Sequence, residues 1–165
     1  MKKYLLKFEK VFNFFEKYNI NFAIFGDTAV YMWGVRKKIR YIDLIIDFED
    51  KNLERFIKLM QNMGMKIKGN IKYKFLYEYL KNKESFQEEF LFFYHRRIFP
   101  WRIKLHLKEN IKDYKIVEKK LGETKVYVIS LEDLINLKKR KLNLKTLQDL
   151  HFMKNVFSNT LEKVP

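Results

Sequence analysis

The sequence predicts an α/β fold, a mixed β-sheet covered by helices and followed by a C-terminal helical segment. Three observations carry this. After an amphipathic start, the chain alternates strand-like and helix-like runs as far as residue 68. Residues 89–94, rich in aromatics, and 101–107 are strand-like runs joined by HRRIFP, the pattern of an antiparallel hairpin. From residue 131 onward the apolar residues return to helical spacing.

In residues 4–18, Leu5, Phe8, Val11, Phe12 and Phe15 share one stripe with lysines opposite, which predicts a helix ended by Asn19. Residues 22–25 read as a short strand that runs into a turn at Gly26-Asp27. A short helix closed by Gly34 follows, then a basic loop over 36–40 and a strand over 42–46. Asp50 is expected to cap a helix over 53–63, with Leu53, Phe56, Ile57 and Met60 on its apolar side. Gly64 ends that helix before a short strand at 65–68. Residues 69–85 fit a helix or a strand equally well. Residues 111–120 read as a short helix stopped at Gly122, followed by a strand over 125–129. Ser130, with Asp133 three residues on, has the form of a capping box for a helix carrying Leu131, Leu134, Ile135 and Leu137. A final helix is expected over 144–156. No linker or repeat interrupts the chain, so residues 1–165 are read as one domain.

Hydrophobic residues make up 47% of the chain, with 16 Phe and 10 Tyr, which excludes an unfolded chain. No apolar run approaches the ~18 residues that span a bilayer, so no membrane role is expected. The absence of cysteine excludes a disulfide framework and a thiolate metal site. The N-terminal run reads as an amphipathic helix rather than a leader, because charges interrupt it and no small-residue cleavage site follows. A cytoplasmic protein is the expectation. A net charge of +15 favours polyanionic partners, nucleic acid or nucleotides. The competing reading is a lysine-rich surface of no specific use, since the lysines are spread along the whole chain.

One stretch carries chemistry. A strand that ends in a glycine turn and opens a helix directs backbone N–H groups at an anion. A carboxylate on the neighbouring strand can hold a metal ion beside it. Gly26 and Asp43 are placed for those two parts. Phe25-Gly26, the helix closed by Gly34, and Ile42-Asp43-Leu44 together resemble the signature of the polymerase-β-type nucleotidyltransferase superfamily, especially its small minimal and AbiEii-like members. The run VYVISLEDLINLKKRKLNLKTLQDLHFM is similar to that family's closing pattern, with Lys138, Lys145 and Asp149 on matching positions. Two positions in the first block depart: Asp27 stands where Gly or Ser is expected, and Tyr41 where the first Asp of the acidic pair is expected. In the second block Thr146 replaces an Asp.

The resemblance implies transfer of a nucleoside monophosphate from an NTP to a hydroxyl, with Mg2+. The departing residues point to a divergent or catalytically impaired copy. Alternate strand residues share a face, so the acidic pair would be residues 41 and 43, and only Asp43 is acidic. The strand expected to bring the third carboxylate offers Lys104 and His106. His106 and His151 stand alone, without zinc-ligand spacing. Asp47 lies on the face of Asp43 but roughly 13 Å along the strand, out of reach of the same ion. Asp27 is open to two readings, a helix N-cap or a relocated partner of Asp43 in catalysis and metal binding. Asp43 is likewise open to a structural reading, bonded to Arg40 or a nearby amide. Gly26, Thr28, Arg36, Lys37, Arg40, Lys104 and Lys138 are the candidates for phosphate or nucleotide contact. Arg96, Arg97 and Trp101 at the hairpin tip are the candidates for nucleic-acid contact. The alternative to a divergent enzyme is a non-catalytic protein that binds nucleic acid or a protein partner.

Overall fold

The computed structural model describes residues 7–35, 38–82, 87–98, 101–140 and 144–161. Its elements run α1 (Glu9–Lys17), β1 (Phe22–Ile24), α2 (Gly26–Met32), β2 (Ile42–Ile46), α3 (Asp50–Asn62), β3 (Lys66–Ile67) and α4 (Tyr73–Lys81). They continue with β4 (Phe90–Tyr94), β5 (Arg102–His106), β6 (Ile116–Leu121), β7 (Thr124–Ile129), α5 (Leu131–Arg140) and α6 (Leu144–Leu161). The seven strands form one mixed sheet in the order β3-β4-β5-β2-β1-β7-β6. This is the α/β architecture expected, and among the described residues no helix is long and apolar enough to cross a membrane.

The middle of the sheet is fixed by strands buried along their whole length. β1 pairs antiparallel with β2, Ile24 facing Leu44, and β2 pairs parallel with β5, Asp43 facing Lys104. One face is sealed by aromatic rings. Phe12 and Phe15 of α1 pack on Phe22, and Phe15 also meets Phe56 of α3, which abuts Phe93 of β4. All five rings are essentially excluded from solvent. On the other face α2 lies over β2 and β7, and α5 packs against α2 and α6.

Buried Asn52 ties this frame at one end. Its amide donates to the carbonyls of Asp47 (2.7 Å) and Asn21 (3.0 Å), and its oxygen accepts from Asn21 N (2.7 Å). Asp47 helps, accepting from Asn21 Nδ2 and from Glu49 N. Its role is to hold the β2–α3 corner, far from Asp43 as the strand spacing required.

Two local expectations are corrected and one open reading is settled. Residues 111–120 do not form a helix: a 3-10 turn over Ile111–Asp113 leads into β6, which pairs with β7 in a hairpin across Gly122-Glu123. The lysines and glutamate of IVEKKL suit a helix surface equally well, and cross-strand pairing decided the matter. Glu9 of α1 clamps that turn by accepting from Glu123 N at 2.9 Å. Asp50 does not cap α3 but is its first residue, Glu49 holding the cap position. The ambiguous stretch becomes α4, seated by Leu76 and Leu80 and by Tyr73, whose hydroxyl donates to Met65 O at 2.9 Å.

The capping box at Ser130 is present. Asp133 N donates to Ser130 Oγ at 3.1 Å, and the Asp133 carboxylate accepts from both Ser130 Oγ and Lys115 N at 2.8 Å. Ser130→Ala is expected to cost about 1 kcal/mol of unfolding free energy, read as a lower urea midpoint with an unchanged slope.

Candidate functional site

Gly26 and Asp43 lie against each other, as the strand-and-turn reading required. Phe25 N donates to Asp43 O at 2.9 Å, which sets the end of β1 beside the start of β2. Gly26 has φ +53°, and a Cβ placed on it would stand 3.2 Å from Asp43 Cγ. The left-handed turn brings α2 down onto the acid.

Asp43 is buried, and each of its oxygens is engaged. Oδ1 accepts from His106 Nε2 at 2.9 Å and pairs with Lys104 Nζ at 3.3 Å. Oδ2 lies 3.2 Å from Thr28 Oγ1. The same hydroxyl accepts from Asp43 N at 3.0 Å and stands 3.2 Å from Tyr41 O, so its single proton serves one of two acceptors. Strand geometry explains the cluster. Lys104 and His106 are two apart on β5 and share the face of Asp43, and the parallel register sets Lys104 at its side. His106 is held edge-on between Phe25 and Phe90 (both 4.8 Å between centroids). Lys104 Nζ lies 3.9 Å from the Phe90 ring centre, a second favourable site for its charge. Beside Phe25, burial, reinforced by the Glu109 carboxylate, holds the Tyr114 hydroxyl well above its usual pKa range.

A cleft of about 470 Å³ opens over this cluster, lined by Asp27, Lys38, Ile39, Arg40, Tyr41, Asp43 and Lys104. Lys38 and Arg40 are exposed at its rim. Asp27 is not a helix cap: Phe25 holds that position, and Asp27 is the second residue of α2. Its Oδ1 pairs with Lys138 Nζ at 3.1 Å, and Lys138 also meets buried Asp149 at 3.2 Å. Lys138 therefore joins α2, α5 and α6 through two ion pairs.

The structure thus brings Asp27, Asp43, Arg40 and Lys104 of the expected set to one cleft. Thr28 is fully buried and turned to β2, which is a structural place. Gly26 supports Asp43 from below. Arg36 and Lys37 lie outside the described residues. The structural reading of Asp43 expects Arg40 or a nearby amide as its partner, whereas its side-chain bonds go to His106, Lys104 and Thr28. His106, which has no second His or Cys at ligand spacing, is the nearest side-chain partner of Asp43 and sits on the strand expected to face it. At the hairpin tip Arg96 and Arg97 are exposed, but Trp101 is buried, its Nε1 donating to Lys7 O at 3.2 Å. That ring is not presented to a base.

Two divalent ions do not fit the donor set in this arrangement. A cation at Asp43 would stand beside the Lys104 ammonium, and among the described residues no group of three His, Asp or Glu side chains converges on a common point. Asp27 and Asp43 line the same cleft yet answer to different lysines.

The mixed sheet and its helices have the fold of a solved nucleotidyltransferase. The structure is similar to the crystal structure of the lincosamide antibiotic adenylyltransferase LnuA, lincomycin-bound, with a TM-score of 0.60 over 91% of this chain and 96% of that one at 14% sequence identity. That likeness carries the fold. No protein-family model matches the sequence, and no curated protein does.

Proposed function

We propose that this chain is a small, minimal or AbiEii-like nucleotidyltransferase-fold protein that binds the phosphates of a nucleotide and has lost two-metal nucleotidyl transfer. The observation that supports it is the Lys104 ammonium, 3.3 Å from the acid that the resemblance would assign to a metal ion. A fixed cation there neutralises Asp43 and leaves Lys38 and Arg40 to attract an anion into the cleft. The acidic Asp27 is likewise neutralised by Lys138.

Titration with a fluorescent ATP analogue tests this. Binding is expected to be equal in EDTA and in Mg2+, and to weaken about tenfold when Lys38 and Arg40 are both replaced by alanine. Binding that appears only with Mg2+ contradicts the reading.

A second reading, a divergent transferase built on Asp27 and Asp43, is favoured by one observation: both acids line the cleft. It predicts that labelled NTP with Mg2+ or Mn2+ marks an acceptor, and that Asp43→Ala abolishes the label. Lincomycin and total RNA are the acceptors to offer first, the former because the similar adenylyltransferase holds it. The non-catalytic reading expects no labelled product from either.

A further inference from the structure

We propose that the solvent-facing side of β3, β4 and β5 binds single-stranded nucleic acid in a trough adjoining the cleft. The sheet register builds it. On β4 the residues alternate, with Leu91 and Phe93 in the core and Phe92 and Tyr94 half-buried on the opposite face. Phe92 faces Lys104 and Tyr94 faces Arg102 across the β4–β5 ladder, while Lys66 faces Tyr94 from β3. Lys68 extends over the Phe92 ring, 5.6 Å from its centre. Basic residues thus stand opposite Phe92 and Tyr94 in the strand ladder, and the Lys68 ammonium reaches the Phe92 ring itself.

The trough has a volume of about 430 Å³, and Tyr41 lines both it and the neighbouring cleft. Tyr41 packs on Phe92 at 5.1 Å between centroids. Among the described residues that line the trough, Lys68, Arg96 and Arg102 are basic and none is acidic. His95 is engaged in shaping the tip, its Nδ1 accepting from Arg97 N and Ile98 N, which leaves Arg96 at the rim.

A polyanion is attracted by this lining, and flat rings favour one whose bases are free to stack. Those two properties together describe a single strand. A duplex keeps its bases stacked on each other and uses only the charge. An acidic protein segment likewise leaves the ring faces unused. The inference does not rest on nucleotide binding in the cleft, because Lys68 and Arg96 lie outside the cleft lining.

Fluorescence anisotropy with a labelled 12-nucleotide oligo(U) or oligo(dT) tests it, against a duplex of equal length and an oligo-glutamate peptide as competitors. The single strand is expected to bind more tightly than the duplex. Lys68→Ala with Arg96→Ala should weaken it about tenfold and flatten the dependence of log K on log salt by about 1.4. Phe92→Leu should weaken it about fivefold and leave the salt slope unchanged. Should Phe92→Leu fail to fold by circular dichroism, the exposed double variant still decides. Lys51→Ala with Lys58→Ala on α3, on the other face of the sheet, should leave binding unchanged. Equal losses in both double variants, preference for the duplex, or equal competition by oligo-glutamate would overturn the proposal. ATP-analogue binding by the Lys68 and Arg96 double variant should persist, so the nucleotide reading stands or fails separately.

Discussion

Asp43→Ala is expected to lower the unfolding free energy by about 3 kcal/mol, the low end for breaking a buried ion pair. The substitution strands two groups at once. His106 loses the acceptor of its Nε2 proton, and Lys104 loses the carboxylate that balances its charge. The Lys104 side chain is 25% exposed, so water screens part of its loss, which is why the upper end of the range is not reached. Asp43→Asn keeps one acceptor oxygen for His106 and should cost about half as much. The sign separates two kinds of site. A carboxylate held to bind metal among other acids relieves repulsion when removed, and stability then holds or rises. A carboxylate satisfied by a lysine and a histidine is part of the frame, and stability falls. Urea unfolding of the two variants reads the difference directly.

Gly26→Ala is expected to cost about 2–4 kcal/mol, from two sources that add. A left-handed backbone costs an alanine roughly 1–2 kcal/mol. The new methyl would also stand 3.2–3.3 Å from three atoms of Asp43, which has no room to retreat because its oxygens are fixed by three side chains. Gly64→Ala supplies the comparison. It shares the positive φ (+68°), but its methyl would meet only His95 at ordinary contact distance, 3.4 Å. Gly64→Ala should therefore show the backbone cost alone. Equal losses at the two glycines would mean that the turn does not press on the acid.

The fold was legible because most elements announce themselves through one dominant signal. Residues 42–46 alternate nothing and bury everything, as a central strand does, and β2 occupies those positions. The Ser130 box marked α5 through local hydrogen bonds alone. β6 was misread because its signal is not local: the sequence around Glu118, Lys119 and Lys120 carries no preference strong enough to outvote its pairing with Tyr127, Val126 and Lys125. The candidate site divides along the same line. The nearness of Gly26 and Asp43 follows from two adjacent strands and a turn, both visible in the chain. Its partners follow in part: Lys104 and His106 stand on the strand expected to face Asp43, but their bonds to it rest on a parallel pairing 61 residues away in Cα register. The trough on β3, β4 and β5 is legible only at its Arg96 end, in the HRRIFP tip; Lys68 and Arg102 join it through strand pairing that exists only in the folded sheet.

The central claim is that an internal ammonium, not a metal ion, answers the charge of Asp43. Electron paramagnetic resonance of Mn2+ titrated with the protein tests it most directly. The free-ion signal is expected to persist with the native chain at millimolar Mn2+, whether or not Asp43 is changed to Asn. Loss of the free-ion signal with the native chain, restored in Asp43→Asn, would contradict it.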